Sequence, residues 1–224
     1  TDWDGISEVK NFVGLHNFIT VIHDTDLLEP IRNTFLFTIL TTVLINAFGL
    51  VLAMAVTKDF RGINVIKSII FIPLIVSLVL VSVMWMYIYS DLFTIIGWES
   101  PLINKKTSML GLVNMSIWRE VGLAMMIYLA ALKGVPSDMY EAAVIDGAGS
   151  LTLFFKIIVP LLRPVLVTCF ILQFMGIWSD FLTPLYLSNR SSMNPMTLAV
   201  YQFFGKNKSY WNLVFADIVL TCIP

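Results

Sequence analysis

Two stretches free of charged residues set the first constraint on this chain. One lies between Arg32 and Lys58, the other between Lys67 and Asp91. An α-helix rises 1.5 Å per residue, so about 20 apolar residues cross a ~30 Å hydrocarbon core. Both stretches exceed that length. Composition points the same way: 58% of the 224 residues are hydrophobic and only 13% are charged, against about 25% charged in an ordinary soluble domain. The mean hydropathy is +0.83. A soluble globule of this size could not bury so much apolar surface. The fold class is therefore all-α, a polytopic transmembrane helical bundle. Disorder is excluded by the same composition. With 14 Lys plus Arg against 15 Asp plus Glu, the net charge is −1, and no basic tract supports nucleic-acid binding.

Five spans are expected. The first two are the charge-free runs. Pro73 is placed near the start of the second, where a helix tolerates it, and Trp85, Tyr87 and Tyr89 near its end read as an interfacial aromatic belt. The third covers Leu112 to Leu132 and contains the adjacent charges Arg119 and Glu120. The fourth runs from about Pro164 to Leu187 and the fifth from near Trp211, through Asp217, to Pro224. Residues 1–32 form an external or interfacial segment in which Phe12, Leu15, Phe18 and Val21 make one face of a short helix. Residues 33–224 form the membrane domain. The stretch from Ser188 to Tyr210 reads as a polar loop. Positive charge alone does not fix the orientation. Cys169 and Cys222 sit in apolar runs and read as small buried residues rather than a disulfide framework.

One connection is not a plain loop. Pro136 to Pro164 reads PSDMYEAAVIDGAGSLTLFFKIIVPLLRP. Asp138 and Glu141 have capping-box spacing, and Ala142 and Ala143 are helix formers with almost no bulk. Gly147 and Gly149 end a first helix, and Ser150 caps a second that meets Pro160, with Pro164 opening the next span. Physics alone allows a bland alternative, an amphipathic hairpin that only joins two spans.

The spacing of Glu141-Ala142-Ala143, Gly147, Ile157 and Pro160 resembles the EAA signature of ABC-importer permeases, with Val159 standing where that signature has leucine. The form Glu141 to Ala148 with Asp146-Gly147-Ala148, followed by Phe154, Ile157, Pro160 and Pro164, is similar to carbohydrate-uptake permeases of the maltose and glycerol-3-phosphate type. Asn33-Thr34, Arg61-Gly62, Trp118 before Gly122, and Trp178-Ser179-Asp180-Phe181 leading to Pro184-Leu185 agree with that resemblance along most of the chain.

The resemblance implies the type I ABC-importer permease architecture. Six spans are normal there, so the first family span would precede residue 1 and the last would be truncated. It implies a cytoplasmic coupling loop, residues 134–160, that docks on separate ABC ATPase subunits, with Glu141, Ala142, Ala143, Asp146, Gly147, Ile157 and Pro160 as the coupling residues. It implies a second permease subunit, the same or a different chain, and an extracytoplasmic substrate-binding protein, in the plasma membrane of a bacterium or archaeon. The substrate would be a sugar or sugar derivative. No cofactor and no metal are expected, and the chain itself is not expected to be an enzyme. It has no G-x-x-x-x-G-K-[ST] phosphate loop: Gly205-Lys206 is followed by Asn207.

A sugar path needs aromatic faces and polar groups at membrane depth. Asn46, Gln173, Trp178, Ser179 and Asp180 are the candidates by chemistry, with Tyr186 beside them. Each also has a structural alternative: interhelical hydrogen bonds for Asn46 and Gln173, interfacial anchoring for Trp178 and Tyr186. Arg119 and Glu120 read as a structural ion pair or as a gate. His16 and His23 lack metal-site spacing. Two other functions compete. An ion-gradient-driven secondary transporter would use Asp180 or Asp217, but no internal repeat supports it. A membrane-embedded enzyme finds no HExxH or G-x-S-x-G motif.

Overall fold

The computed structural model describes residues 3, 11–23, 25–58, 60–103, 105–145, 147, 149–187, 194–206 and 211–222. Apart from short connections these are helical. The helices are α1 (His16–His23), α2 (Thr25–Ala55), α3 (Ile63–Ile75), α4 (Leu78–Tyr87), α5 (Phe93–Ile95), α6 (Lys105–Lys133), α7 (Ser137–Ile145), α8 (Ser150–Leu153), α9 (Val159–Trp178), α10 (Leu182–Leu187), α11 (Met196–Lys206) and α12 (Trp211–Thr221). π-Helical turns occupy Ile88–Leu92 and Phe154–Ile158. Among the described residues, four stretches are long and apolar enough to cross a membrane: Leu28–Ala55, Leu78–Ile95, Thr107–Lys133 and Leu151–Trp178, while α12 is apolar but shorter. The all-α, multi-span architecture expected from the charge-free runs is the one observed.

Several boundaries differ from the sequence expectation, mostly at prolines. The first apolar helix starts at Thr25, not after Arg32, and carries Pro30 within it. So close to the helix start, proline removes little, and the Thr34 hydroxyl donates to the Pro30 carbonyl at 2.9 Å. The second charge-free run is not one helix. Gly62, at φ 95°, turns the chain into α3, which ends at Ile75 with Val76 extended. Pro73 lies in the last turn of α3 rather than near the start of a span. Its ring crowds the preceding turn and its missing N–H removes a rung, so the helix stops two residues later. The fourth helix runs through Pro160 and Pro164 instead of beginning at Pro164. A widened turn, in which the Val159 N–H reaches back to the Phe154 carbonyl, sits immediately before Pro160 and lets the helix continue past it. This helix ends at Trp178, short of Leu187, and α10 follows after a break. The expected polar loop after Ser188 contains α11.

The chain forms two compact units. Thr1–Leu40, Leu78–Met115 and Met175–Pro224 make the first; Thr41–Ser77 and Ser116–Phe174 make the second. In the first unit α1 packs on α12, with Val21 and Ala216 buried together and Phe18, Leu213 and Leu220 around them. The single apolar face expected for α1 is divided. Phe12 and Leu15 precede the helix, beyond a turn at Gly14, and stay exposed, while Phe18 and Val21 pack inward. Tyr89 is buried, donates to the Gly111 carbonyl at 3.0 Å and accepts from the Asn114 amide at 3.0 Å. Of the expected aromatic belt, only Tyr87 is exposed; the Trp85 and Tyr89 rings meet at a tilt of 46° with centroids 5.1 Å apart.

The second unit is held by close backbone approach. A Cβ added to Gly49 would lie 2.6 Å from the Ala124 Cβ, and one added to Gly122 would lie 2.5 Å from the Ile70 carbonyl oxygen. α6 therefore meets α2 and α3 through small residues, as membrane helices commonly do. The Tyr128 hydroxyl donates to the Asn46 carbonyl oxygen across the α2–α6 contact. Ile69, Ile72, Leu161 and Leu172 point outward, an arrangement suited to lipid rather than water.

Candidate functional site

The Glu-Ala-Ala segment lies on α7, entirely within the second unit. α7 begins at Ser137, so Asp138 sits inside the first turn, where its carboxylate complements the helix dipole, rather than at the cap position. Glu141 is exposed and Ala143 is buried. One turn of helix thus offers a carboxylate outward and a methyl-sized contact inward. Gly147 follows with φ +73° and open space around it. That left-handed conformation costs L-residues with side chains about 1–2 kcal/mol, and glycine nothing. Asp146 lies outside the described residues, as does the side chain of Ala142.

Beyond the glycine turn, α8 starts at Ser150 and passes into the widened turn. Ile157 is half-buried in that turn, and Pro160 is exposed at the head of α9. Leu151 and Phe155 are 75% and 63% exposed. Met139 on α7 is also exposed, so both helices of the helix–turn–helix expose apolar side chains, and α7 exposes the Glu141 carboxylate as well. A helix–turn–helix that exposes the acids Asp138 and Glu141 together with Met139, Leu151 and Phe155 is suited to seating in a cleft on another protein.

The five path candidates fall in two different units and mostly have structural partners. Asn46 donates to the Thr42 carbonyl at 2.7 Å and accepts from Tyr128, which ties two helices together. Gln173 is buried on α9. Trp178 donates from its indole N–H to the Thr221 carbonyl at 2.8 Å and meets Phe35 edge-on at 5.0 Å. The Ser179 hydroxyl bonds the Met175 carbonyl at 2.8 Å at the end of α9. Asp180 accepts from the Thr183 N–H at 3.1 Å, as a cap for α10. Arg119 and Glu120 pair with each other, each side chain 20% exposed.

Sequence reasoning missed one feature on α2. Thr34, Thr38, Thr41 and Thr42 are all buried, and the hydroxyls of the last three have no hydrogen-bond partner among the described residues. Their spacing of four, three and one puts them on one helical face, a periodicity visible in the sequence. Asp217 on α12 was noticed only for its charge. It is 1% exposed, and neither carboxylate oxygen has a partner among the described residues.

Comparison with known proteins adds the family. The binding-protein-dependent transport system inner membrane component family matches residues 45–223. The chain is 34% identical over 171 residues to the probable starch degradation products transport system permease protein of Thermoanaerobacterium thermosulfurigenes, covering 73% of this chain and 58% of that one. It is 36% identical over 168 residues to the alpha-glucoside transport system permease protein of Rhizobium meliloti (strain 1021), covering 67% of this chain and 49% of that one. The chain therefore spans about half the length of the curated relatives it matches. A crystal structure of a bacterial ABC transporter involved in the import of the acidic polysaccharide alginate superposes with a TM-score of 0.76 at 17% identity, covering 96% of this chain and 80% of that one. At that identity the likeness concerns the fold. The chain belongs to the family of binding-protein-dependent transport system inner membrane components.

Proposed function

We propose that this chain is the membrane-spanning permease subunit of an ATP-driven ABC importer for a sugar or sugar derivative. A separate pair of ABC ATPase subunits supplies the energy through the 134–160 loop, a second permease subunit completes the pathway, and an extracytoplasmic binding protein delivers the substrate. The loop is cytoplasmic and the membrane is the plasma membrane of a bacterium or archaeon. The observation that carries this reading is the segment itself: an exposed Glu141 on the short helix that ends just before a glycine at φ +73°, flanked in sequence by exposed Met139, Leu151 and Phe155, in a chain of this family. The sugar class is supported by the relatives named for starch products and alpha-glucosides.

The test is recovery of the full-length protein from native membranes in mild detergent, with its partners identified by mass spectrometry. An ABC ATPase is expected to co-purify with the wild type and to be lost from Glu141→Lys, while both insert equally. Equal recovery of the ATPase with both forms would remove Glu141 from the contact. No ATPase with either would remove the reading.

One observation favours a second reading. The Asp217 carboxylate is buried in an apolar helix without a partner among the described residues, and ionisable groups inside membrane spans mark ion pathways. Under ion-gradient coupling, uptake would follow an imposed proton or sodium gradient and would stop in Asp217→Asn.

A further inference from the structure

The first unit carries a cavity that none of the roles above uses. It lies between α1 and α12, has a volume of about 180 Å³, and includes Trp3, Phe18 and Phe215 among its lining. Its polar side chains are the Trp3 indole and two amides, Asn17 and Asn212, with the Asn212 N–H donated to the Asn17 oxygen at 3.2 Å. Asn17 is 7% exposed. Asn212 makes no other side-chain hydrogen bond among the described residues, so its carbonyl oxygen and second N–H are available to a guest.

Three properties limit that guest. The volume equals about six waters at ~30 Å³ each, room for one pyranose-sized ring rather than a drug-sized molecule. No described lining residue is charged, so an anionic or cationic guest would lose its hydration without a counter-charge. The amides disfavour an acyl chain, which would bury them without partners. Aromatic walls with amide donors and acceptors match a ring that has apolar C–H faces and a hydroxyl rim. We propose that this cavity is a subsite for one unit of a neutral carbohydrate at the outer mouth of the permease, where the ring packs against the aromatic walls and its hydroxyls bond Asn212. The outer placement rests on the permease reading, in which a cytoplasmic 134–160 loop puts the start of α2, and α1 before it, on the opposite side. The subsite would receive a sugar unit as it leaves the binding protein.

The test uses the assembled transporter in nanodiscs and proteoliposomes. Maltotriose, cellotriose and xylotriose serve as neutral probes and trigalacturonate as the acidic one. ATP-driven uptake of the panel is measured first, with binding protein present. Direct binding is then measured without binding protein, by saturation-transfer NMR and calorimetry. A transported neutral trimer is expected to bind the wild type, with affinity at least about tenfold weaker in Asn212→Ala and in Val219→Trp, which fills the cavity from an exposed position. Both variants should insert and co-purify with the ATPase as the wild type does, and trigalacturonate should not bind. Uptake of a panel sugar with unchanged binding in both variants, or with no direct binding at all, overturns the subsite and leaves the permease reading standing. Phospholipid retained by the wild type and displaced from Val219→Trp, without sugar binding, assigns the cavity to lipid and also overturns it. Absence of ATP-driven uptake for every sugar overturns the permease reading and the subsite together.

Discussion

Gly147 makes the sharpest demand of any residue in the coupling segment. Its φ of +73° is combined with open space, so a side chain there meets no neighbour and the cost lies in the backbone. Gly147→Val should cost about 1–2 kcal/mol locally, with valine worse than most because it is β-branched. The expected outcome is normal membrane insertion and at least tenfold slower ATP-driven uptake. Gly147→Asn should retain most of the activity, because asparagine tolerates the left-handed region. Wild-type uptake by the valine variant would show that the turn is not part of the coupling. The position of Gly147 was legible in the sequence, since the spacing from Glu141 marks it. The roles of Asn46 and Asp180 were not. Asn46 bonds a tyrosine 82 positions away, and Asp180 caps a helix whose start only the broken α9 defines. A polar residue in an apolar run carries no label that separates a partner in the protein from one in the cargo.

At the scale of elements, proline was misjudged more than any other residue. Pro73 ends a helix instead of starting one, and Pro160 and Pro164 are absorbed by a helix they were expected to interrupt. The difference between them is the widened turn at Phe154–Ile158, a change of hydrogen-bond register that leaves no trace in hydropathy. α11 was hidden for a different reason: it is short, and the stretch before it is polar. The close contacts of α6 were equally silent, although they make the clearest stability prediction. Gly122→Ala places a methyl group against the Ile70 carbonyl, backbone that cannot swing aside. A loss of about 1–3 kcal/mol is expected, seen as a melting temperature lower by about 2–4 °C per kcal/mol in detergent. Gly176→Ala, with nothing within 4 Å on α9, is the control and should melt at or above the wild-type temperature. Equal melting of the two variants would mean that α6 and α3 do not approach as closely as described.

For the molecule as a whole, the charge-free runs and the Glu-Ala-Ala pattern were enough to reach both the membrane class and the family. The energy of such a bundle lies in apolar length and backbone satisfaction, which composition reports directly. What they did not reach was the division of the chain into two units, because contact between distant segments is set by small residues and single hydrogen bonds. The central claim is that transport is driven by ATP through a partner bound to the 134–160 loop. The most direct test is uptake into proteoliposomes containing the full-length permease with its co-purified partners and binding protein, with no ion gradient across the membrane. The account predicts uptake that starts on addition of MgATP, persists with ionophores, and is abolished by Glu141→Lys. Uptake that requires a proton or sodium gradient, ignores ATP and survives Glu141→Lys would contradict it.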